Sequence, residues 1–294
     1  MTILQVKHTT VYNYAKPVSF GEHRLMSRPR DSHDLRLLDT GLSITPPPAA
    51  LRWIHDVFGN SIAIASFGDV QASQLTFVST FRAEHFPVAE PAQIVLEEYA
   101  QKLPFSYAVG EVPDLGRRAE RHYPDPEHEI DIWARSFVEK TPSLATMDVL
   151  LAMNQSIKAE FGYARREEEG TQAPVDTLRS RSGSCRDFAL LMMEGVRSLG
   201  MAAEFVSGYL YDENLIGAQG GLVGGGETHA WLQVYLPGAG WVEFDPTNAL
   251  VGGRNLIRVA VARDASQAVP LSGSFIGEPG SFTGLSVNVE VTAE

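Results

Sequence analysis

One cysteine, Cys185, is the only thiol among 294 residues. An intramolecular disulfide framework needs pairs of cysteines, and CxxC redox or zinc-ribbon sites need neighbouring ones, so all of these are excluded. Basic residues are also in short supply: 24 Lys and Arg stand against 36 Asp and Glu, a formal net charge of −12. Nucleic-acid binding draws its affinity from clustered cations, which argues against a phosphate-backbone partner. No apolar run approaches the roughly 18 residues that suggest a membrane span. The opening MTILQVKHTTVYNY has neither the basic start nor the continuous apolar stretch of a secretory signal. Without membrane or export signals, a reducing, cytoplasmic location is the expectation. What is present is ordinary for a globular chain, 44% hydrophobic and 20% charged. A length of this order suits roughly two domains and buries about three quarters of the unfolded surface, so no metal or disulfide staple is needed.

Periodicity divides the chain. ILQVKHTTVYNY from Ile3, LRLLDTGLSIT from Leu35, LRWIHDVFGNSIAIASF from Leu51 and QLTFVSTFRAEHF from Gln74 read as strands. Gly59-Asn60 supplies the positive φ angles of a hairpin turn, and Pro46-Pro47-Pro48 marks a loop. Residues 1–88 are therefore expected to be an antiparallel β domain. From Pro91, PAQIVLEEYAQKL and PEHEIDIWARSFVEK read as helices, the second with Asp125 as N-cap and Pro126 at its first position. ATMDVLLAMNQSIKAEF places Val149, Leu150, Met153, Ile157 and Phe161 on one side at helical spacing. The charged run from Arg165 to Gly170 reads as an exposed loop, and QGGLVGGGE at 219–227 as a flexible one. CRDFALLMMEGVRSLG is a helix ended by Gly200. Strand-like segments follow: AEFVSGYLY, THAWLQVYL, GWVEFD, NLIRVAVA and LSVNVEV. The order predicts an α+β chain, with residues 89–294 forming a helical segment and then a helix that feeds an antiparallel sheet.

Cys185 begins that helix, where exposed N–H groups and the positive end of the helix dipole favour a thiolate. Gly183, just upstream, would allow a substrate to approach the backbone closely. A lone cysteine is also a common core residue, so position alone leaves both readings open. A thiol nucleophile needs a base in reach and a third group that orients the base. His229 opens the strand ETHAWLQVYL, and Asp245 closes GWVEFDPTN sixteen residues later. The turn 237–240 would pair these strands antiparallel and bring the carboxylate to the imidazole. There it would fix the tautomer and stabilise the imidazolium. Order and spacing supply a Cys–His–Asp set.

GSCRDFALLMMEGVRSLG, THAWLQVYLPGAGWVEFDPTN and GRNLIRVAVARD resemble the transglutaminase-like cysteine hydrolase superfamily. The opening HTTVYNYAKPVSFGEHRLMSRPR is similar to the β-rich N-terminal region of its bacterial branch. The resemblance covers nearly the whole chain and implies a transglutaminase-like (papain-like) core, with the nucleophile at a helix N-terminus packed on an antiparallel sheet. It implies Cys185 as nucleophile, His229 as general base and then acid, and Asp245 as the orienting carboxylate. Papain-type histidines follow the cysteine by roughly 130–150 residues, whereas the interval here is 44, which favours the transglutaminase-type core. Two departures stand out: the glycine-rich insert with Glu227 before the histidine, and the lack of an upstream tryptophan for an oxyanion contact. The Cys185 N–H is the first oxyanion donor, Tyr163 a candidate second, and Trp231 a candidate wall of the substrate site.

The expected reaction is acyl transfer at an amide of a protein or peptide substrate, through a thioester and without a cofactor. Hydrolysis is preferred, because nothing resembles the extra C-terminal β domains or calcium dependence of animal crosslinking enzymes. Protein-glutamine crosslinking and a non-catalytic peptide-binding module are the rivals. His122 and His128 with Glu127 and Glu129 do not match a helix-face metal pair, so no metal site is expected. Gly224-Gly225-Gly226 lacks the Lys and Ser/Thr of a phosphate loop. Oligomeric state has no sequence signal.

Overall fold

Among the first 85 residues the alternation is plainest in the 15-residue stretch QASQLTFVSTFRAEH, where Leu75, Phe77, Ser79, Phe81, Ala83 and His85 are buried and the residues between them are not. That period of two is a strand with one face in a core. The computed structural model describes residues 2–86, 93–165, 170–212 and 222–294. The strands of the N-terminal part are β1 (Thr2–Phe20), β2 (His23–Arg28), β3 (Leu35–Thr45), β4 (Ala50–His55), β5 (Ser61–Ser66) and β6 (Gln71–His85). β6 lies between β1 and β3, and β5 between β2 and β4, all antiparallel. The two sheets close over Phe20, Leu25, Ile44, Phe67, Leu75 and Phe77. The hairpin expected at 56–61 joins β4 to β5, but only Gly59, with φ of 77°, is left-handed. Asn60 does other work: its buried amide donates to Asp56 and pairs with both backbone groups of Val261.

The helix expected from Pro91 does not form. Residues 91 and 92 lie outside the described residues, and from 94 to 103 the helical structure is a short 3₁₀ turn at Glu98–Ala100. Backbone groups here bond elsewhere, Glu97 N–H to the Pro237 carbonyl and Leu103 N–H to the Leu144 carbonyl. Pro104 also disfavours a helical Leu103. The helices are α1 (Glu111–Leu115), α2 (Glu129–Lys140), α3 (Thr146–Glu160), α4 (Pro174–Ser180) and α5 (Cys185–Ser198). α2 starts three residues after the expected Pro126, because the Asp125 carboxylate accepts from the Glu129 and Ile130 N–H groups. Gly200, with φ of 85°, ends α5 as predicted. No helix among the described residues is long and apolar enough to cross a membrane.

A further sheet, that of the core, runs β12 (Leu250–Val251), β11 (Gly240–Asp245), β10 (His229–Leu236), β9 (Ala203–Leu210) and β13 (Leu256–Ala262). β9 is buried at every position, as a central strand covered on both faces must be. Ala230, Leu232 and Val234 pack in the core formed with α2, α3 and α5. By the pleat, His229, Trp231 and Gln233 therefore share the opposite face. The chain is α+β.

The C-terminal segment returns to the N-terminal sheets. β14 (Leu271–Ser272) pairs with β2, and β15 (Phe275–Ile276) and β16 (Phe282–Ala293) pair with β1. Sheet membership thus does not follow the expected division at 88/89. β6 covers one edge of β1, and β16 covers the other. Val289 is buried with Leu4, Val6, Tyr209 and Ile257 in a cluster that joins the two parts of the molecule.

Candidate active site

Two short strands bring the segment just after α3 to the start of α5. β7 (Gly162–Tyr163) runs parallel to β8 (Ser182–Gly183), with Tyr163 opposite Gly183. Cys185 is the first residue of α5 and is 8% exposed. Its turn is fixed by Asp187, a wholly buried carboxylate that accepts from the Ser184 N–H and hydroxyl, each at 2.8 Å, and from the Gln172 N–H. Gly183 is buried, and a Cβ there would come within 2.9 Å of the Asp187 Cβ. Its role is close packing against α5, not the substrate approach expected from the sequence.

His229 and Asp245 meet as predicted. β10 and β11 pair antiparallel, with Leu232 opposite Phe244. This register places Asp245 beside Trp231, diagonal to His229 on the same face. His229 Nε2 lies 2.9 Å from Asp245 Oδ2, and both side chains are fully buried. Asp245 also accepts from the Thr247 N–H at 2.9 Å and from Asn248 Nδ2 at 2.8 Å. Burial alone would lower the imidazole pKa, but the Asp245 charge and hydrogen bond overcome it, and His229 is pushed up to about 10. Burial would raise the Asp245 pKa, yet His229, Asn248 and Thr247 hold it below the usual carboxylate value. The other ring nitrogen, Nδ1, is buried without a partner in hydrogen-bond geometry among the described residues. Cys185 adds to the proton affinity of this ring, by hydrogen bonding first and then by charge.

Two family descriptions match this chain in succession. The bacterial transglutaminase-like N-terminal region matches residues 4–84, and the transglutaminase-like superfamily matches residues 133–246, which include Cys185, His229 and Asp245. The chain belongs to the transglutaminase-like superfamily. It is a thiol-dependent enzyme family. An uncharacterized protein of Mycobacterium tuberculosis is 28% identical over 97% of this chain and 91% of its own length. One from Mycobacterium leprae is 26% identical over 98% of each. A solved structure from Cytophaga hutchinsonii, provisionally described as a cysteine protease, shares the fold. It has a TM-score of 0.73 and 20% identity, covering 99% of this chain and 90% of that one.

Within this transglutaminase-like core the remaining candidates separate. Tyr163 is 41% exposed, and its ring meets Phe188 of the α5 first turn edge-on at 6.5 Å between centroids. Its hydroxyl is pushed up to about 12, by burial first and then by the charges of Cys185 and Glu227, so it stays a proton donor across the working pH range. Trp231, expected at the substrate surface, is fully buried. It stacks on His229 and donates its indole N–H to Glu243. Its place is beneath the imidazole, because residues two apart on a strand share a face.

The sequence reading missed the far side of the imidazole. Residues 213–221 of the glycine-rich insert lie outside the described residues, but 222–226 form a turn against His229. Gly224 has a φ of 97°, and a Cβ there would lie 2.6 Å from His229 Nδ1. Gly224→Ala is expected to cost about 1–2 kcal/mol in backbone strain and to displace the ring. Slower alkylation of Cys185 together with a thermal midpoint lower by a few degrees would show it. Beyond this turn Glu227 pairs with Arg165 at 2.7 Å, linking the glycine turn to the end of β7. The rest of the charged loop, 166–169, lies outside the described residues. Among those described, no group of three His, Cys, Asp or Glu could hold a metal ion.

Proposed function

We propose that the chain is a cysteine amidase or peptidase acting on protein or peptide substrates. The observation that carries this reading is the buried His229–Asp245 pair, whose imidazole is raised in proton affinity by Cys185, the one thiol in the chain. Cys185 loses its proton to His229, and the thiolate sulfur bonds to the amide carbonyl carbon. The oxyanion takes the Cys185 N–H and the Tyr163 hydroxyl as donors. One well-placed donor contributes on the order of 3 kcal/mol to such a transition state. The C–N bond then breaks, and the His229 imidazolium delivers its proton to the leaving amine. The thioester is released by water, with His229 accepting the water proton and the thiol restored. A reducing, cytoplasmic setting keeps Cys185 available as the thiol.

The likeness to a structure described as a cysteine protease supports hydrolysis over amine transfer. Alkylation by iodoacetamide across pH tests the nucleophile. The rate is expected to stay high well below about pH 8, where an ordinary thiol becomes unreactive. Ordinary thiol behaviour would sink the enzyme reading in favour of a peptide-binding module. A labelled primary amine offered with a glutamine-containing protein tests the second half-reaction. Incorporation that disappears in Cys185→Ala would replace hydrolysis by crosslinking.

A further inference from the structure

We propose that Asn248 is a positioning residue that locks the Asp245 carboxylate to the glycine turn over the His229 ring, and so holds the imidazole from both sides. The proposal rests on the reading of Cys185, His229 and Asp245 as a working set. Asn248 lies three residues beyond Asp245, past the end of β11, and every polar atom of its side chain is used. Nδ2 donates to Asp245 Oδ2 at 2.8 Å, the same oxygen that bonds His229. Nδ2 also donates to the Val223 carbonyl at 3.1 Å, and Oδ1 accepts from the Val223 N–H at 2.9 Å. One amide therefore pairs with both backbone groups of Val223 in the turn and with the carboxylate behind the histidine.

The turn has no regular structure to hold it, so these contacts fix its place. Val223 precedes Gly224, which lies against the His229 Nδ1 edge. On one side Leu222 donates its N–H to Asp212 and packs against Trp231, Val206 and Leu256. On the other, Gly226 accepts from the Val289 N–H of β16 at 2.8 Å. Asn248 is the contact between those two anchors, and it alone among them also touches Asp245. Its loss would free an acceptor on a buried carboxylate and release the turn from the ring at once.

Two substitutions separate the halves of this role. Asn248→Asp keeps an acceptor for the Val223 N–H but removes the donor to Asp245 and sets a second carboxylate beside it. Asn248→Ala removes both. In the full-length protein, the rate of Cys185 alkylation at pH 6 is expected to fall about ten- to hundred-fold in each variant, the range for a lost hydrogen bond to a charged group. The acid limb of the alkylation–pH profile is expected to move up by about one unit in Asn248→Asp, because a neighbouring carboxylate disfavours ionised Asp245. Hydrogen exchange at the Val223 amide is expected to accelerate in Asn248→Ala. A purely structural residue would lower the thermal midpoint and leave the pH profile in place. If Asn248→Ala does not fold, Asn248→Asp decides. Wild-type profiles in the folded variants would overturn the proposal. A wild type that alkylates as an ordinary thiol would instead overturn the triad reading beneath it.

Discussion

Asp245→Ala is expected to lower turnover of any peptide amide that the wild type cleaves by on the order of 10²–10⁴-fold, with Cys185 still present. The reason is burial. His229 and Asp245 are both fully buried, and the carboxylate is the group that keeps the imidazole cationic there. Without it, burial acts unopposed, the ring turns neutral at pH 7, and nothing fixes which nitrogen carries the proton. The same substitution should invert the pH dependence of stability. In the wild type the folded His229 pKa lies above the unfolded value. Its contribution is then fully present below about pH 6.5 and lost as pH rises toward the folded value of about 10. In Asp245→Ala the folded pKa falls below the unfolded one, so this site destabilises the fold as pH drops below about 6.5. Urea denaturation at pH 5.5, 7 and 8.5 reads both slopes. Unchanged slopes, with turnover intact, would remove Asp245 from the site.

Glu194→Ala should produce the largest loss of stability, about 3–5 kcal/mol, because it leaves a buried cation without its partner. Glu194 and Arg197 lie one turn apart on α5 with neither side chain exposed, paired at 3.0 Å. Glu194 also accepts from Arg121 Nε at 3.0 Å and from the His122 and Tyr123 N–H groups. Arg197 donates to the carbonyls of Ala203 and Arg263. This network fastens the segment before α2 to the helix that carries Cys185. Burial pulls the Arg197 guanidinium below its ordinary pKa, while Glu194 opposes the shift. Arg197→Met with Glu194→Leu removes both charges of the pair and is expected to recover part of the loss, since the His122 and Tyr123 N–H groups and the Ala203 and Arg263 carbonyls are left unpaired. The double variant as unstable as the single would assign the effect to these hydrogen bonds instead of the uncompensated charge.

Much of the site was legible because its chemistry is spaced along the chain. Cys185 at a helix start, His229 at a strand start and Asp245 at the end of the next strand are local facts, and a four-residue turn dictates that β10 and β11 pair. The helices α3 and α5 were legible for the same reason, since their apolar stripes repeat at 3.6 residues. The segment 93–103 misled because its apolar spacing suits a helix, while its backbone partners, Pro237 and Leu144, are distant in sequence. Asp187 could have been found, since Ser184 and Asp187 stand at the spacing of a capping box. For Trp231 a wall of the site and core packing both stayed open, because a strand's period assigns residues to two faces without saying which one meets substrate; burial decides for packing.

The sequence by itself determined the α+β class and the family and named the candidate set, since each depends on residue types at short fixed intervals. Only the tertiary structure decided what surrounds the imidazole. Gly224 against Nδ1, Asn248 bridging Asp245 to Val223, and Val289 of the last strand holding Gly226 are contacts between segments far apart in the chain. No periodicity encodes such contacts. They follow from how two sheets and a helix pack, and packing is settled by the whole chain.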